Sequence, residues 1–278
     1  MNLANIENIL KKANIAEFRA EARFIAEVVS MMPIEKLLLE DDIPNYNKIV
    51  EIANKRAKTK IPVQYLLNCA YFMGEKYYVD NSVLIPRDET EFLVKKCYEL
   101  IKNKKQKLDI LDIGVGSGCV SLELAKLLKN HELEILGVDI NPKSIITALK
   151  NTQKFDLIRK VVFRKSDIFS NIYNFEKFDL IVSNPPYIPI NEKNNLDIEL
   201  SFEPEAALFA SDNEGVEFYR KIINKAHNYL KKDGFLVFEL GIGQKDIVYS
   251  LLEQNFCEID YLSDLAGIER VIWAKLKD

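Results

Sequence analysis

From Leu108 onward, short β-type runs alternate with longer helical runs, and this alternation constrains the fold more than any other feature of the chain. It is typical of a mostly parallel sheet that is covered by helices on both faces. Such sheets bind ligands beyond the carboxyl ends of their strands. The predicted strands are residues 108–113, 133–139, 161–164, 178–183, 235–240, 258–262 and 270–275, and the predicted helices begin near Ser117, Pro142, Glu214 and Gln244.

The residues before this region predict two further units. In residues 1–70, apolar side chains recur at helical spacing, which predicts an all-helical bundle. Residues 71–90 predict a β-hairpin linker that turns at Gly-Glu-Lys, residues 74–76. We therefore expect the bundle, the linker and a larger domain over residues 91–278. The basic run at residues 55–60 is interpreted as a solvated helix end, with a contact surface as the alternative.

Three of the ten glycines fall between the first strand and its helix, in the segment Asp-Ile-Gly-Val-Gly-Ser-Gly at residues 112–118. A loop without Cβ atoms lets the backbone approach a nucleotide, and the following helix presents unpaired N–H groups. The dinucleotide fingerprint would need Gly or Ala where Cys119 stands. The loop residues predicted to bind a cofactor are Gly114, Val115, Gly116, Ser117 and Gly118.

Two more cofactor contacts are predicted at strand ends. Asp139 ends the second strand, where a carboxylate can accept hydrogen bonds from both ribose hydroxyls. This residue fits NAD and S-adenosylmethionine about equally, so it does not discriminate between them. Asp167 and Ile168 follow the third strand, where an adenine would lie.

The most specific motif is the tetrapeptide Asn184-Pro185-Pro186-Tyr187, directly after the fourth strand. Its prolines fix φ and remove two backbone donors, so the turn is rigid and rich in carbonyl groups. The Asn184 side-chain oxygen and the Pro185 carbonyl can each accept one hydrogen of a planar NH2 group, while Tyr187 offers an aromatic face. All four residues are predicted to bind substrate, Asn184, Pro185 and Tyr187 to act in catalysis, and Asn184 to touch the cofactor as well.

A turn of this kind suits methyl transfer to a nitrogen whose lone pair is delocalised. Two acceptors on the hydrogens raise the electron density on the nitrogen and stabilise the positive charge that develops there. No strong base is needed before transfer, because the proton becomes acidic only as the methyl group arrives. The chain's two histidines and four cysteines show no zinc-ligand spacing, so we expect no metal.

Together these motifs resemble the release factor glutamine methyltransferase family (PrmC/HemK) over essentially the full chain. The glycine loop resembles the cofactor loop of class I S-adenosylmethionine-dependent methyltransferases. Asp88 and Ile168 depart from the family pattern, since relatives have proline and a larger side chain there. Four more segments carry the resemblance: residues 61–66 (IPVQYL), 84–91 (LIPRDETE), 202–208 (FEPEAAL) and 265–271 (LAGIERV).

The resemblance implies a Rossmann-like sheet of seven strands, S-adenosylmethionine as cofactor, and methylation of the glutamine in the Gly-Gly-Gln motif of peptide-chain release factors. It also implies that the helical bundle docks the release factor. Two related activities stay open: N6-adenine DNA methylation and methylation of a ribosomal-protein glutamine. A non-catalytic binder is disfavoured, because the glycine loop and the tetrapeptide are intact.

The composition bears on partners and compartment. A formal charge of -4 disfavours bulk attraction to nucleic acid, and residues 1–70 carry ten basic and nine acidic residues, which leaves -5 for the remainder. Without a disulfide framework, a signal peptide or an apolar run of about 20 residues, the chain is expected to be cytoplasmic and not membrane-bound. A monomer is expected.

Several other residues have ordinary interpretations. The histidines are expected to be solvated or structural, and Cys119 and Trp273 to pack in the core. Glu203 is expected either to order the loop after the tetrapeptide or to touch substrate. The two histidines are His131 and His227.

Overall fold

The computed structural model describes residues 3–39 and 42–277. Its first five helices form a bundle around a core of their own. They are α1 (Leu3–Lys12), α2 (Phe18–Ser30), α3 (Ile34–Leu37), α4 (Tyr46–Thr59) and α5 (Val63–Leu67). The predicted apolar face of α2 is buried at Ala22 and Ile25, against Ile6 and Leu10 of α1 and Ile49 of α4.

A two-stranded hairpin follows, with β1 (Ala70–Phe72) paired to β2 (Glu75–Tyr77). The prediction of a hairpin is confirmed, but its predicted turn is wrong. The turn consists of Met73 and Gly74 alone, with φ of 49° and 81°. Positive φ at both central positions is the geometry of a two-residue hairpin turn. Glu75 therefore belongs to the strand and lies opposite Phe72.

The remainder of the chain builds a seven-stranded sheet in the order β10-β11-β9-β6-β3-β4-β5. Its strands are β3 (Leu108–Ile113), β4 (Leu133–Asp139), β5 (Val161–Lys165), β6 (Phe178–Ser183), β9 (Leu230–Glu239), β10 (Phe256–Ser263) and β11 (Glu269–Leu276). Only β11 runs antiparallel to its neighbours, so the prediction of a mostly parallel sheet is confirmed. Strand β9 begins five residues before its predicted start, because Leu230 already pairs with Phe178 of β6.

Helices cover both faces of this sheet. They are α6 (Thr90–Ile101), α7 (Cys119–Leu127), α8 (Pro142–Lys154), α9 (Glu205–Leu208), α10 (Glu217–Ala226) and α11 (Lys245–Leu252). Helices α10 and α11 pack on one face, and α6 and α7 pack on the other. The sequence starts α8 with a clear signal: the Asn141 side chain accepts the Lys143 N–H at 3.0 Å, and proline occupies the first helical position.

The segment between β6 and α10 lies outside the seven-stranded sheet. It contains two short paired strands and two 3-10 turns. These are β7 (Ile188–Pro189), β8 (Phe209–Ala210) and the turns at Ile190–Asn195 and Ile198–Phe202. Over residues 3–39 and 42–277, no helix is long and apolar enough to cross a membrane.

Candidate active site

A cavity opens at the carboxyl edge of the parallel strands β3, β4, β5 and β6. Of the nine residues predicted to bind a cofactor, eight line it: Gly114, Val115, Gly116, Ser117, Asp139, Asp167, Ile168 and Asn184. Gly118 is not among the lining residues. It caps α7 with φ of 83°, and a Cβ there would lie 3.2 Å from the Ala148 Cβ, so its lack of a side chain lets α7 pack closely on α8.

The glycine loop is folded against the end of β4. The N–H groups of Gly114 and Val115 both donate to the Val138 carbonyl, at 2.8 and 3.0 Å. The N–H of Gly116 donates to the Asp139 carboxylate at 3.0 Å. Gly114 and Gly116 have φ of 80° and 52°, the left-handed region that glycine adopts readily. The loop thus exposes bare backbone to the cavity.

Asp139 lies half-buried at the base of this loop. One carboxylate oxygen accepts the Gly116 N–H and the other accepts the Asn141 N–H at 2.8 Å. Burial raises the pKa of Asp139 above its ordinary value. Because a carboxylate has about four lone-pair sites, each oxygen keeps capacity for a ligand hydroxyl. The carboxylate therefore can still accept two ribose hydroxyls.

Ile168 holds a backbone conformation that a β-branched residue rarely adopts, with φ of 51°. Two hydrogen bonds impose it: the Ser166 hydroxyl donates to the Ile168 carbonyl at 2.9 Å and accepts the Asn171 N–H at 3.0 Å. Residues held this way cluster at ligand sites. Here the strain turns Asp167 and Ile168 toward the cavity.

Acidic groups outnumber basic groups among the residues that line the cavity. Three are carboxylates, Asp112, Asp139 and Asp167, and Arg87 is the one basic side chain among the described residues that line it. Asp112 accepts a hydrogen bond from Ser121 at 2.6 Å, and burial raises the pKa of Asp112 to about 6. The cavity thus favours a cationic ligand over a phosphate.

The tetrapeptide begins where β6 ends, beside the glycine loop. A Cβ at Gly114 would lie only 3.8 Å from the Asn184 carbonyl oxygen. The Asn184 side-chain nitrogen donates to the Thr90 hydroxyl at 3.2 Å, and that hydroxyl donates to the Glu239 carboxylate at 2.7 Å. With its nitrogen directed inward, Asn184 keeps its side-chain oxygen for another donor.

The rest of the tetrapeptide is held by hydrogen bonds to residues that do not line the cavity. Pro185 and Pro186 line the cavity, whereas Tyr187 is not among the described lining residues. The Tyr187 hydroxyl lies 3.3 Å from Glu239, and its carbonyl accepts the Gln244 side chain at 2.9 Å. Its ring packs against the core beneath the sheet edge. The stacking role expected of Tyr187 stays a prediction.

The sequence comparisons identify the family. A family model described as a methyltransferase domain matches residues 104–258. A release factor glutamine methyltransferase of Fusobacterium nucleatum is 40% identical over 231 residues, which cover 82% of this chain and 64% of that protein. A release factor glutamine methyltransferase of Thermodesulfovibrio yellowstonii is 34% identical over 269 residues, which cover 93% of this chain and 94% of that protein. The chain belongs to the release factor glutamine methyltransferase family.

Solved structures agree on the fold of this methyltransferase. A 16S rRNA N2 G1207 methyltransferase of T. thermophilus, solved with AdoMet and guanosine, aligns with a TM-score of 0.53 and 19% identity. The alignment covers 75% of this chain and 50% of that one. At this identity the likeness concerns architecture, and it confirms the Rossmann-like methyltransferase sheet that the sequence predicts.

Two residues that support Asn184 in this methyltransferase escape sequence analysis. Thr90 begins α6 and Glu239 ends β9, so 149 residues separate them in sequence. Both are buried, with Glu239 only 2% exposed. One signal was present: Glu239 is a carboxylate inside an otherwise apolar strand run that ends at the cavity edge.

Glu203 holds two loops together. This is the first of its two predicted roles, to order the loop after the tetrapeptide. Its side chain is 5% exposed. One oxygen accepts the Ile85 N–H at 3.0 Å, and the other pairs with the Arg87 guanidinium. The loop after the tetrapeptide is thereby joined to the segment that leads into α6.

The interpretation of the basic run as a solvated helix end is wrong at Arg56. This side chain is 1% exposed and donates two hydrogen bonds of 2.8 Å to Glu21 of α2. It also pairs with Glu199, in the 3-10 turn that follows the tetrapeptide. The guanidinium thus connects the helical bundle to the loop region of the active site.

The remaining interpretations concern side chains outside the site chemistry. Cys119 packs in the core at 8% exposure, and burial raises the pKa of its thiol to about 12, so the α7 N-terminus does not activate it. His131 and His227 are partly exposed, and the Nδ1 atom of each is buried. Trp273 packs against the core, and the Lys96 Nζ atom lies over its ring, 4.2 Å from the ring centre.

Proposed function

We propose that this methyltransferase transfers a methyl group from S-adenosylmethionine to the side-chain amide nitrogen of the glutamine in the Gly-Gly-Gln motif of peptide-chain release factors. The orientation of Asn184 carries the proposal. Its nitrogen donates to Thr90, which leaves its oxygen as an acceptor beside the glycine loop. The names of relatives 34–40% identical to the chain support the same substrate class.

The tetrapeptide would position the glutamine amide and polarise it. Asn184 Oδ1 and the Pro185 carbonyl each accept one amide hydrogen, which holds the NH2 plane and directs the nitrogen lone pair at the methyl group. S-adenosylmethionine, when bound, supplies a methyl group on a cationic sulfur. The nitrogen lone pair would form the new N–C bond as the methyl–sulfur bond breaks and leaves its electron pair on sulfur, and the surplus proton would then pass from the nitrogen to water. Fixed dipoles stabilise the charge that appears on nitrogen.

The residues that line the cavity fit S-adenosylmethionine. Asp139 would accept the ribose hydroxyls, and Asp167 and Ile168 would contact the adenine. Three carboxylates against one arginine suit a sulfonium cation better than the pyrophosphate of a dinucleotide. The cavity charge thereby supports the cofactor choice that Asp139 alone leaves open.

The rival activities differ in substrate. Adenine methylation in DNA requires phosphate contacts, and the one arginine that lines the cavity is already paired with Glu203. The ribosomal-protein activity shares the tetrapeptide, so only the region outside the cavity can separate the two glutamine substrates. Within the proposal, the bundle of residues 1–70 docks the release factor, and its exposed Met31 and Leu39 offer apolar surface.

The decisive experiment is incubation of the protein with a purified release factor and labelled S-adenosylmethionine, followed by mass mapping of the modified peptide. We expect the label on the glutamine of the Gly-Gly-Gln loop. Label on DNA or on a ribosomal protein in preference to the release factor would contradict the proposal.

Asn184→Ala tests the role of the tetrapeptide in the same assay. We expect turnover to be abolished while the dissociation constant of S-adenosylmethionine stays within about threefold, because the cofactor keeps its contacts with the glycine loop and Asp139. Asn130→Ala, in the exposed loop between α7 and β4 and outside both the cavity and the bundle, is the matched control and should keep full turnover. Undiminished turnover in Asn184→Ala would contradict the mechanism.

A further inference from the structure

The carboxylate of Glu239 is the common acceptor for the polar groups behind the tetrapeptide. One oxygen accepts the Thr90 hydroxyl at 2.7 Å, and the other accepts the Tyr187 hydroxyl at 3.3 Å. The Thr90 hydroxyl in turn accepts the Asn184 side-chain NH2 at 3.2 Å. Glu239 is therefore bonded directly to Tyr187 and, through Thr90, to Asn184.

This arrangement determines which end of the Asn184 amide faces the cavity. An ionised carboxylate only accepts hydrogen bonds, so it takes the single hydrogen of the Thr90 hydroxyl, and the Thr90 oxygen can then only accept one from the NH2 of Asn184. An asparagine turned by 180° would place its oxygen against the Thr90 oxygen and its NH2 toward the substrate NH2. Two donors would then oppose each other, and the substrate nitrogen would lose the acceptor that orients it.

We propose that Glu239 is a positioning residue for methyl transfer, whose negative charge, acting through Thr90, fixes the Asn184 amide with its oxygen toward the acceptor nitrogen. The inference rests on the proposed function and extends it by one residue that does not line the cavity. Glu239 also places a negative charge behind the nitrogen on which positive charge develops, which favours the transition state electrostatically.

The ionisation of Glu239 falls in the working range of such an enzyme. Burial raises the pKa of Glu239 to about 7, against the lowering effect of its bonds with Thr90 and Tyr187. The other ionisable groups around it are Glu89, Cys119 and Tyr219. Glu89 opposes ionisation of Glu239, and the Tyr219 hydroxyl donates to the Glu239 backbone carbonyl at 2.9 Å. A protonated Glu239 has a hydrogen of its own to donate, so it no longer enforces the asparagine orientation.

The test compares Glu239→Gln with wild type in single-turnover methylation of a release factor between pH 5.5 and 9. The wild-type rate should rise with pH through about 7 and then level off. The variant should lose about 100-fold in rate, the cost of a misplaced reacting group, and should lose the rise near pH 7. Any ionisation of Asp112, whose pKa is raised to about 6, should remain in both proteins. The dissociation constant of S-adenosylmethionine should change by less than about threefold.

A matched control separates positioning from loss of any buried carboxylate. Glu123 of α7 is 5% exposed and accepts the Tyr77 hydroxyl at 2.5 Å outside the cavity. Glu123→Gln should keep the wild-type rate and pH profile. If Glu239→Gln does not fold, the pair Thr90→Val and Thr90→Ser carries the test: valine should reproduce the rate loss, and serine should restore the rate.

Two results would overturn the role of Glu239. One is a wild-type rate or an unaltered rise near pH 7 in Glu239→Gln, and the other is equal rates for the two Thr90 variants. Failure of the proposed function looks different, because the wild-type protein would then leave the release-factor glutamine unlabelled at every pH.

Discussion

Gly215 supports the tetrapeptide from outside the cavity, and its replacement by alanine should impair catalysis more than folding. Gly215 has φ of 72°, and a Cβ there would overlap the Tyr187 carbonyl oxygen and lie 3.0 Å from the Tyr187 carbonyl carbon. Non-bonded heavy atoms rest about 3.5–4.0 Å apart, so relieving the overlap with the carbonyl oxygen moves the tetrapeptide backbone by about 1 Å or more. The Gln244 side chain, which donates to the same carbonyl, must move as well.

A displacement of about 1 Å at a reacting group costs about 100-fold in rate. We therefore expect Gly215→Ala to lose about 100-fold in the single-turnover rate of release-factor methylation. The affinity for S-adenosylmethionine should change little, because Gly215 contacts neither the glycine loop nor Asp139. Calorimetric titration of the cofactor beside the rate measurement separates the two effects.

Gly74 provides the matched control for this substitution. It has φ of 81° in the hairpin turn, and nothing lies within 4 Å of a Cβ placed there. Both substitutions carry the left-handed backbone cost of about 1–2 kcal/mol, so Gly74→Ala reports that cost alone. Only Gly215→Ala adds the collision with Tyr187. A rate for Gly215→Ala within about threefold of that for Gly74→Ala would refute the reasoning.

Two further substitutions test the cofactor site and the connection to the bundle. Asp139→Asn should weaken S-adenosylmethionine binding about 10- to 100-fold, because charge-assisted hydrogen bonds contribute about 1.5–3 kcal/mol; an unchanged dissociation constant in calorimetry would exclude Asp139 as a ribose ligand. Arg56→Met should lower the free energy of unfolding by about 3 kcal/mol in urea denaturation, since Glu21 loses its partner while only 15% exposed. A loss below about 1 kcal/mol, as for a surface ion pair, would show that the Arg56 bridge contributes little.

The sequence predicted strands well where the residues of the strand and those next to it carry the signal. β3, β4 and β6 begin and end at the predicted residues, since each is an apolar run closed by glycine, aspartate or asparagine. The hairpin turn was misplaced for a local reason as well. Met73 has a positive φ, which is unusual for methionine and cannot be predicted from its residue type. The residues Gly-Glu-Lys therefore gave the stronger turn signal.

Contacts between distant residues set the limit of prediction from sequence. Arg56 looks like part of a solvated basic run because its neighbours along the chain are lysines. Its partners lie 35 and 143 residues away, at Glu21 and Glu199. In the same way, Thr90 and Glu239 acquire a role only when folding brings α6 and β9 together. The chemistry-bearing motifs were visible, whereas the support of Asn184 by Thr90 and Glu239 was not.

These long-range contacts explain how the segment before α6 tolerates its departure from the family pattern. The segment reaches the acceptor site at two residues: Arg87 pairs with Glu203, and Thr90 bonds to both Asn184 and Glu239. Asp88, where the resemblance leads us to expect proline, has an exposed side chain, and its backbone carbonyl accepts the Glu91 N–H as the helix begins. Proline at position 88 would restrict the backbone but would add no contact to the tetrapeptide. The contacts of Arg87 and Thr90 therefore fix the segment. Asp88 lies between these two residues with its side chain in solvent, so the wider range of backbone φ that aspartate allows affects only this exposed part.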